Sequence, residues 1–352
     1  MKTKKNHVSM ILLSAMLLSA PAFSQTKAGV EKYMPVISGY AQMGYLNQHN
    51  QTVDKSTFQI NRLRLILNGE INDIFDYKIQ MEGWSNSHDS NDKSLISIQD
   101  MFLRAKISPE LVLQVGQFPI PLSMENFDIS PATLETVDFS SVVYNIVCKN
   151  PVTNFSHYGR DCGLMASGGF LHRDGFDILN YNLAVFNGSQ MNQQDNNKSK
   201  DIVGRLTIRP VKNLRISGSF STGESYFTAA ERYAKLNKYV VGAWYKEPEG
   251  LMVRSEYGHI KCDDYTLDID QNLFYATLGY NFKGKYMPIL RYDTYEDSNI
   301  DDSRVNNYLM GFLWTPYKKL RVQANYTFSK YGDYFTDYIN GNKLQLMVTV
   351  FF

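Results

Sequence analysis

Basic side chains recur at every second position in several stretches of this 352-residue chain. Arg62 and Arg64 form one such pair, and Arg104 and Lys106 form another. Residues two apart in a β-strand lie on the same face, so each pair would present two cations side by side. Arginine binds phosphate through parallel hydrogen bonds, and rings of Arg and Lys act as anion filters in pores. These residues therefore indicate chemistry directed at small anions.

Residues that could perform covalent or metal catalysis do not form a recognisable set. Ser156 and His157 are adjacent in the sequence, whereas a nucleophile and its base meet through folding. His49, His88, His172 and His259 are scattered, mostly at predicted loop ends. The sequence has no Gly-rich phosphate loop, no paired-carboxylate motif and no metal-ligand spacing. An enzyme is the least favoured class, and we expect no cofactor and no metal.

The elements that must position the cations are strands. Apolar and polar residues alternate with period two from one end of the chain to the other, which predicts half-buried strands. In the last stretch, Leu344, Leu346, Val348, Val350 and Phe352 fall on one face. Sixteen such stretches start near residues 36, 59, 75, 94, 111, 161, 178, 201, 214, 238, 251, 273, 286, 305, 319 and 343.

The connections between these stretches alternate in length. Those after even-numbered stretches are short turns, such as Asn72-Asp73 and residues 173–175, whereas the others are longer and polar. A membrane barrel separates short periplasmic turns from longer outer loops in this way, while a secreted β-sandwich has no reason to do so. The sequence therefore predicts an all-β protein, a 16-stranded antiparallel transmembrane β-barrel with short periplasmic turns and long outer loops.

The beginning of the chain predicts export. Residues 1–24 combine three lysines, an apolar segment at 8–20 and a small-residue cleavage site at 22–24, which is typical of a cleaved secretory signal peptide. Residues 25–352 would form the barrel. Without the three lysines of the signal, 33 basic and 35 acidic residues give a net charge of −2. That charge excludes a generally basic nucleic-acid binder.

Three cysteines allow one disulfide at most. Cys148 and Cys162 are the closest in sequence and the better candidates for a pair. A Cys/His metal site that includes His157 is less favoured, because the short spacing of a zinc site is absent.

One connection is much longer than the others. Residues 118–160 form a loop of about forty residues, a length that is usually functional or disordered. Apolar residues such as Ile129, Leu134, Val143 and Ile146 indicate that it packs. We expect it to fold into the lumen as a constriction, with an outer cap or a subunit contact as alternatives.

At this loop the sequence resembles the phosphate-selective porin O and P family, over nearly the whole mature chain. The resemblance rests on Val115–Pro121, Gly159–Leu164, Tyr181–Gly188 and Val203–Leu206. The motif residues are Gly116, Gln117, Phe118, Pro119, Pro121, Gly159, Arg160, Asp161, Gly163, Asn187 and Gly188. The resemblance implies a sixteen-stranded outer-membrane porin, a homotrimer, with the third outer loop folded inside. It also implies passage of phosphate past arginine and lysine residues.

Charge placement supports an anion path. The basic residues on predicted lumen faces are Arg62, Arg64, Lys78, Arg104, Lys106, Arg205, Arg209, Arg215, Lys238, Lys246, Arg254, Arg291, Arg321 and Lys343. The acidic ones are Glu70, Asp76, Glu82, Asp100, Glu256 and Asp293. All of the basic residues except Arg209, Lys246 and Lys343, together with Arg160, are the candidate anion path. A positive wall of this kind raises the local anion concentration.

The long loop opposes this preference. It carries Glu125, Asp128, Glu135 and Asp138 against Lys149 and Arg160. We therefore expect a passive channel in the bacterial outer membrane for small hydrophilic solutes, with a preference for anions and with phosphate or another oxyanion as a candidate solute. A non-selective general porin and an adhesin or receptor barrel are the alternatives. The expected partners are outer-membrane lipid and small anions or hydrophilic solutes, and no nucleic acid.

Overall fold

The computed structural model describes residues 33–49, 54–85, 96–152, 158–189, 191–195, 197–227, 231–264, 267–335 and 340–352. The predicted signal peptide at 1–24 lies outside the described residues. Among those residues, no helix is long and apolar enough to cross a membrane.

Sixteen strands form the wall of the molecule, as the alternating pattern predicted. They are β1 Val36–His49, β2 Asp54–Glu70, β3 Phe75–Ser85, β4 Ser97–Ser108, β5 Leu111–Pro119, β6 Arg160–Arg173, β7 Phe176–Phe186, β8 Asp201–Val211, β9 Leu214–Phe227, β10 Arg232–Lys246, β11 Gly250–Asp264, β12 Leu267–Asn281, β13 Tyr286–Asp297, β14 Val305–Tyr317, β15 Leu320–Tyr331 and β16 Gly341–Phe351. Each pairs antiparallel with its sequence neighbours.

The sheet closes on itself. β1 pairs with β16 from Tyr40 opposite Phe351 to His49 opposite Asn342. The backbone N–H of Phe352 donates to the carbonyl of Gly39 at 3.0 Å, and the reverse bond measures 3.1 Å. Closure leaves no free strand edge, which is the condition for strands to span a bilayer. The predicted closed antiparallel barrel is confirmed.

The two faces of each strand differ in polarity. On β16, Leu344, Leu346 and Val350 are exposed on the outer surface, whereas Gln345 and Thr349 are buried inside. On β4, Met101 and Leu103 point outward in the same way. An apolar outer band and a polar interior are the pattern of an outer-membrane barrel.

Two short helices lie in the connection between β5 and β6. They are α1, Met124–Phe127, and a seven-residue π-helix, Val142–Cys148. We call residues 120–159 the inner loop, because β5 ends at Pro119 and β6 begins at Arg160.

The candidate pair Cys148 and Cys162 does not form a disulfide. Cys148, Cys162 and Cys262 are all free thiols. Cys148 ends the π-helix, and the Cys162 thiol lies 3.9 Å from Oε1 of Gln117 on the neighbouring strand.

Candidate functional site

The inner loop crosses the interior of the barrel. The side chain of Gln42, on β1, donates to the carbonyl of Pro131 at 3.3 Å. On other strands, the Asp293 carboxylate of β13 accepts from the N–H of Ser141, and Asn150 donates to Ser225 of β9. A segment that leaves from β5 and reaches β1, β9 and β13 must pass through the lumen.

Carboxylates of the loop anchor it to arginines of the wall. Arg254, on β11, donates to Glu125 and Glu135, each at 2.9 Å, and Arg291, on β13, also donates to Glu125. Arg254 and Glu125 have no solvent exposure. Lys246 donates to Glu135 at 3.0 Å. A buried pair of this kind is strongly destabilised when one partner is removed, so these contacts hold the loop in place.

Two further carboxylates complete the anchoring. Arg205, on β8, makes a two-pronged contact with Asp128, at 3.1 and 2.6 Å. Lys343, on β16, donates to Asp138 at 2.6 Å. Each of the four acidic loop residues that the sequence analysis singled out is therefore bound to a wall cation.

The cations lower the pKa of these carboxyl groups. Burial by itself would raise the pKa of Glu135, but Arg254 and Lys246 outweigh it and lower that pKa to about 2. Burial is likewise outweighed at Glu125, where Arg291 and Arg254 lower the pKa, and at Asp138, where Lys343 does so. All three side chains are anionic at neutral pH.

The π-helix packs through apolar side chains against the same side of the lumen. Val142 and Ile146 pack in one buried cluster with Ile260 of β11 and Leu273 of β12. Gly258 makes room for this contact, since a Cβ there would lie 2.1 Å from Cδ1 of Ile146. The loop is therefore held against β10–β13 by both apolar packing and ion pairs.

On the opposite wall, formed by β2–β4, charged side chains form ion pairs with one another. Arg64 pairs with Glu82, and Lys78 donates to Asp100 at 2.6 Å. Asp100 also accepts from Arg160 at 2.7 Å, so this one carboxylate serves two cations. Arg62 donates to the amide oxygen of Gln42 at 3.0 Å.

Five lumen cations have no carboxylate within ion-pair distance in the described part of the chain. Arg321 donates instead to the loop carbonyls of Ala132 and Leu134. The other four are Arg62, Lys238, Arg209 and Arg215. Asp201 nevertheless acts electrostatically on Lys238, and Asp161 lines the same cavity.

Arg62 of β2 and Lys238 of β10, on strands eight apart in the closed sheet, both lie near the end of the π-helix. Arg62, Lys238 and Arg160 all act electrostatically on the Cys148 thiol, and Arg62 also acts on Asp138. Burial outweighs these cations and raises the pKa of Cys148 to about 12, so the thiol is neutral. We call Arg62, Arg160, Lys238 and Cys148 the constriction.

The structure distributes the twelve predicted path residues over three places. Arg205, Arg254, Arg291 and Arg321 lie buried against the inner loop. Arg62, Arg64, Lys78, Arg160 and Lys238 lie at or beside the constriction. Arg104, Lys106 and Arg215 lie towards the short turns, where Arg104 donates to Asp76 at 2.7 Å and Lys106 reaches Asp76 and Glu70 at 3.4 and 3.7 Å.

The motif residues mostly shape the two ends of the inner loop. Gly159 has φ +67°, and a Cβ there would lie 2.2 Å from the side chain of Asn126. The Asp161 carboxylate accepts from the backbone N–H groups of Cys162 and Gly188, each at 2.7 Å. Phe118 is fully buried against Phe186.

The remaining motif positions form strand contacts. Gly116 has φ +127° and Gly163 faces the carbonyl of Val185. Gln117 accepts from the N–H of Asn192 at 2.8 Å, and Asn187 donates to the carbonyl of Cys162 at 3.0 Å. Pro119 pairs with Arg160, and Pro121 is buried. Of the motif residues, Arg160 is the one placed at the constriction.

Sequence reasoning missed the apolar lumen face that receives the loop. Leu236, Val240, Ile260 and Leu273 are buried inside β10–β12. The signal was present, because the inward positions of these strands are apolar as well as the outward ones. Gly258 and Gln42 gave no signal of their own. The described residues contain no cluster of three or more potential metal ligands.

Comparisons with known proteins agree with this architecture. The family model for the phosphate-selective porins O and P matches residues 37–219, more than half of the chain. No curated protein sequence matches this chain. An OmpF structure from Salmonella typhi, in complex with daunomycin, aligns with a TM-score of 0.70 at 13% identity, covering 92% of this chain and 98% of its own.

Two other solved structures are similar. An anion-selective porin from Comamonas acidovorans aligns with a TM-score of 0.67 at 14% identity, over 90% of this chain and 99% of its own. OmpT of Vibrio cholerae in its trimer form aligns with a TM-score of 0.60 at 12% identity, over 91% of this chain and 100% of its own. At such identities the likeness shows the shared fold.

Proposed function

Because this chain belongs to the phosphate-selective porin O and P family, we propose that it is an outer-membrane channel for small hydrophilic solutes with a preference for anions. The family and the barrel fold indicate a channel rather than an enzyme. The preference for anions is the part that rests on the residues of this chain.

The observation that carries the preference is the location of the unpaired charge. The loop carboxylates Glu125, Asp128, Glu135 and Asp138 are each bound to a wall cation. Arg62 and Lys238 have no carboxylate within ion-pair distance among the described residues, although Asp201 acts electrostatically on Lys238. The constriction therefore retains positive charge although the inner loop is acidic. Fixed cations at a narrow point raise the local concentration of anions.

The buried arginines have a different role in this proposal. Arg254 and Arg291 are enclosed by the inner loop and would hold it, while Arg62, Arg160 and Lys238 would meet the solute. Phosphate is a candidate solute, because Arg62 and Arg160 can bind oxyanions through two hydrogen bonds each.

We also propose a homotrimer in the outer membrane. The Vibrio OmpT structure of the same fold is described as a trimer form. The exposed outer residues of β4 and β5 are aliphatic, such as Met101, Leu103 and Val115, whereas those of β14 include Tyr308 and Trp314. Aromatic side chains favour the lipid interface, so the β4–β5 face is the better candidate for a subunit contact. The mass of the protein in detergent, measured by light scattering, tests the trimer.

The reversal potential of single channels tests the ion preference. The mature protein is inserted into a planar bilayer under a KCl gradient, and phosphate is then added. We expect a potential shifted towards that of chloride and a reduction of the current by phosphate. In R62Q and K238Q the shift should fall by about half or more, since each change removes one constriction cation.

Arg173 provides a matched control, because it is the exposed last residue of β6 and pairs with Asp174 of the following short turn. R173Q should retain the wild-type potential. A neutral or cation-directed potential in the wild type would instead identify a non-selective general porin. If no channels form, the adhesin or receptor alternative would be favoured.

A further inference from the structure

A recess lies at the short-turn end of the lumen, away from the constriction. It has a volume of about 370 Å³ and is bounded by β6–β9 and by Phe127 and Asp128 of the inner loop. The neighbouring short turn contributes Pro109, and the glycines Gly168 and Gly169 contribute backbone without side chains. This volume is in the range of small-molecule sites.

Two guanidinium groups in this recess are available to a ligand. Arg209, on β8, and Arg215, on β9, lie close enough to repel each other. The ring of Phe176 lies 5.0 Å from the Arg209 guanidinium, and that of Trp244 lies 4.9 Å from Arg215. Stacking covers one face of each group and leaves its N–H edges directed sideways.

The hydrogen bonds of these groups are incomplete within the described residues. Arg209 donates once, to the carbonyl of Lys212 at 3.1 Å, while its buried Nε–H has no acceptor. Arg205 differs, since it is fully engaged by Asp128 and by Ser217 at 2.9 Å. Two neighbouring guanidiniums, neither of them within ion-pair distance of a carboxylate among the described residues, form a site for a doubly charged oxyanion.

The acidic groups of the recess do not neutralise this pair. Asp128 is bound to Arg205, and Asp177 contacts His172 near the end of β6, whose ring is charged only when protonated. Both carboxylates also act electrostatically on Arg209. With Arg205 matched by Asp128, the two cations Arg209 and Arg215 face one further carboxylate, that of Asp177, so the recess keeps an excess of positive charge.

The rest of the lining is neutral and polar. Ser167 and Thr207 supply hydroxyl groups, and Asn180 and Asn182 supply amides. Asparagine amides both donate and accept, which suits sugar hydroxyls. Inorganic phosphate could engage the two arginines but would not reach these four side chains, three of which already bond within the protein: Asn180 to the carbonyl of Asp177, Asn182 to Met165 and Thr207 to Ser217.

We propose that this recess binds an organic phosphate that carries hydroxyl groups, of about the size of a monosaccharide phosphate. The phosphate would lie between Arg209 and Arg215, and the hydroxyls against Asn180, Asn182 and Thr207. The inference rests on the proposed function in one respect, that the recess opens into a channel. Short turns of such barrels face the periplasm, so the ligand has access from that side.

Trp244 provides a direct readout, because it contacts Arg215. The chain has three tryptophans, so the W84F/W314F variant retains Trp244 alone. The folded barrel of this variant in detergent is titrated with glucose 6-phosphate, inorganic phosphate or glucose while the fluorescence is recorded. We expect a saturable change with glucose 6-phosphate, half-saturated at a concentration about tenfold lower than with phosphate, and no change with glucose.

Two variants in the same background locate the effect. R209Q should raise the half-saturating concentration of glucose 6-phosphate about tenfold or more, since it removes one charge-assisted contact. R173Q, at the exposed end of β6 outside the recess, should leave it unchanged. Calorimetric titration of the protein with its native tryptophans provides the same comparison without the Phe substitutions.

Each outcome decides the proposal. Equal affinity for glucose 6-phosphate and phosphate, or an affinity that R209Q leaves unchanged, would overturn it. In bilayers, glucose 6-phosphate should reduce the current more strongly from the short-turn side. Channels without ligand binding would remove this inference and keep the proposed function. Ligand binding without channels would keep this inference and remove the proposed function.

Discussion

Arg254 of β11 and Glu125 of the inner loop form an ion pair at 2.9 Å, and neither side chain is exposed to solvent. They lie 129 residues apart in the sequence. Arg254 therefore holds the inner loop in place and has no exposed surface that could contact a solute.

Loss of this pair should loosen the loop. In R254Q, Glu125 keeps Arg291 and Glu135 keeps Lys246, but both lose their shared partner. We expect a loss of about 3 kcal/mol in unfolding free energy, typical of a broken buried pair, together with larger and noisier single-channel currents. Denaturant unfolding in detergent and bilayer recording measure the two effects.

The exposed pair of Arg304 and Glu296 provides the control. R304Q should change stability by less than about 1 kcal/mol, as expected for a surface pair. Similar losses in R254Q and R304Q would contradict an anchoring role for Arg254.

The loop should remain closed in mild acid. The folded-state pKa of Glu135 is about 2, and those of Glu125 and Asp138 are also lowered. A lowered carboxyl pKa gives stability that is complete above the unfolded value of about 4.5 and is lost as the pH falls through the folded value. Conductance should therefore stay steady from pH 7 to about pH 4 and change near pH 2–3. A transition at pH 5–6 would show that other groups control the loop.

Neutralisation of Asp138 should strengthen the anion preference. This carboxylate acts electrostatically on Arg62 and pairs with Lys343. In D138N both cations lose their acidic neighbour, so the reversal potential should move further towards that of chloride. D174N, in an exposed turn, should have no effect. An unchanged potential in D138N would separate Asp138 from the conduction path.

Gly258 should be required for the position of the π-helix. A Cβ at this position would lie 2.1 Å from Ile146 and 3.4 Å from Val142. We expect G258A to cost about 1–3 kcal/mol, as overpacking does, and to push the loop towards β2–β4, which lowers conductance. I146V removes the clashing Cδ1 and should restore conductance in the double variant.

Gly218 is a suitable comparison, because a Cβ there would have one contact, 3.8 Å from Val241. G218A should behave like the wild type. If G258A also conducted normally, the loop would have to adjust without moving into the lumen.

Cys148 should react slowly with thiol reagents although it lies at the constriction. Its pKa of about 12 leaves about one thiolate in ten thousand at pH 8, and the thiolate is the reactive form. In a C162S/C262S background, a negatively charged methanethiosulfonate should leave the current unchanged for minutes. Rapid reduction of the current would mean that the thiol is ionised by its three neighbouring cations.

The sequence alone determined the barrel. Period-two alternation is a local property of a strand between lipid and water, and turn length is local as well, so all sixteen strands could be located. The long connection before Arg160 and its apolar residues were visible for the same reason. The basic wall also followed from alternation, because Arg62 and Arg64 share a face with Lys78 across the strands.

Only the tertiary structure decided which cations remain available. Arg254 and Arg62 look alike in the sequence, yet one is enclosed by Glu125 and Glu135 and the other has no carboxylate partner among the described residues. The difference depends on where a forty-residue loop comes to lie against strands more than a hundred residues away. A local sequence pattern does not predict a contact between the loop and a distant strand. That contact depends on closure of the barrel and on the space that Gly258 leaves for the side chain of Ile146.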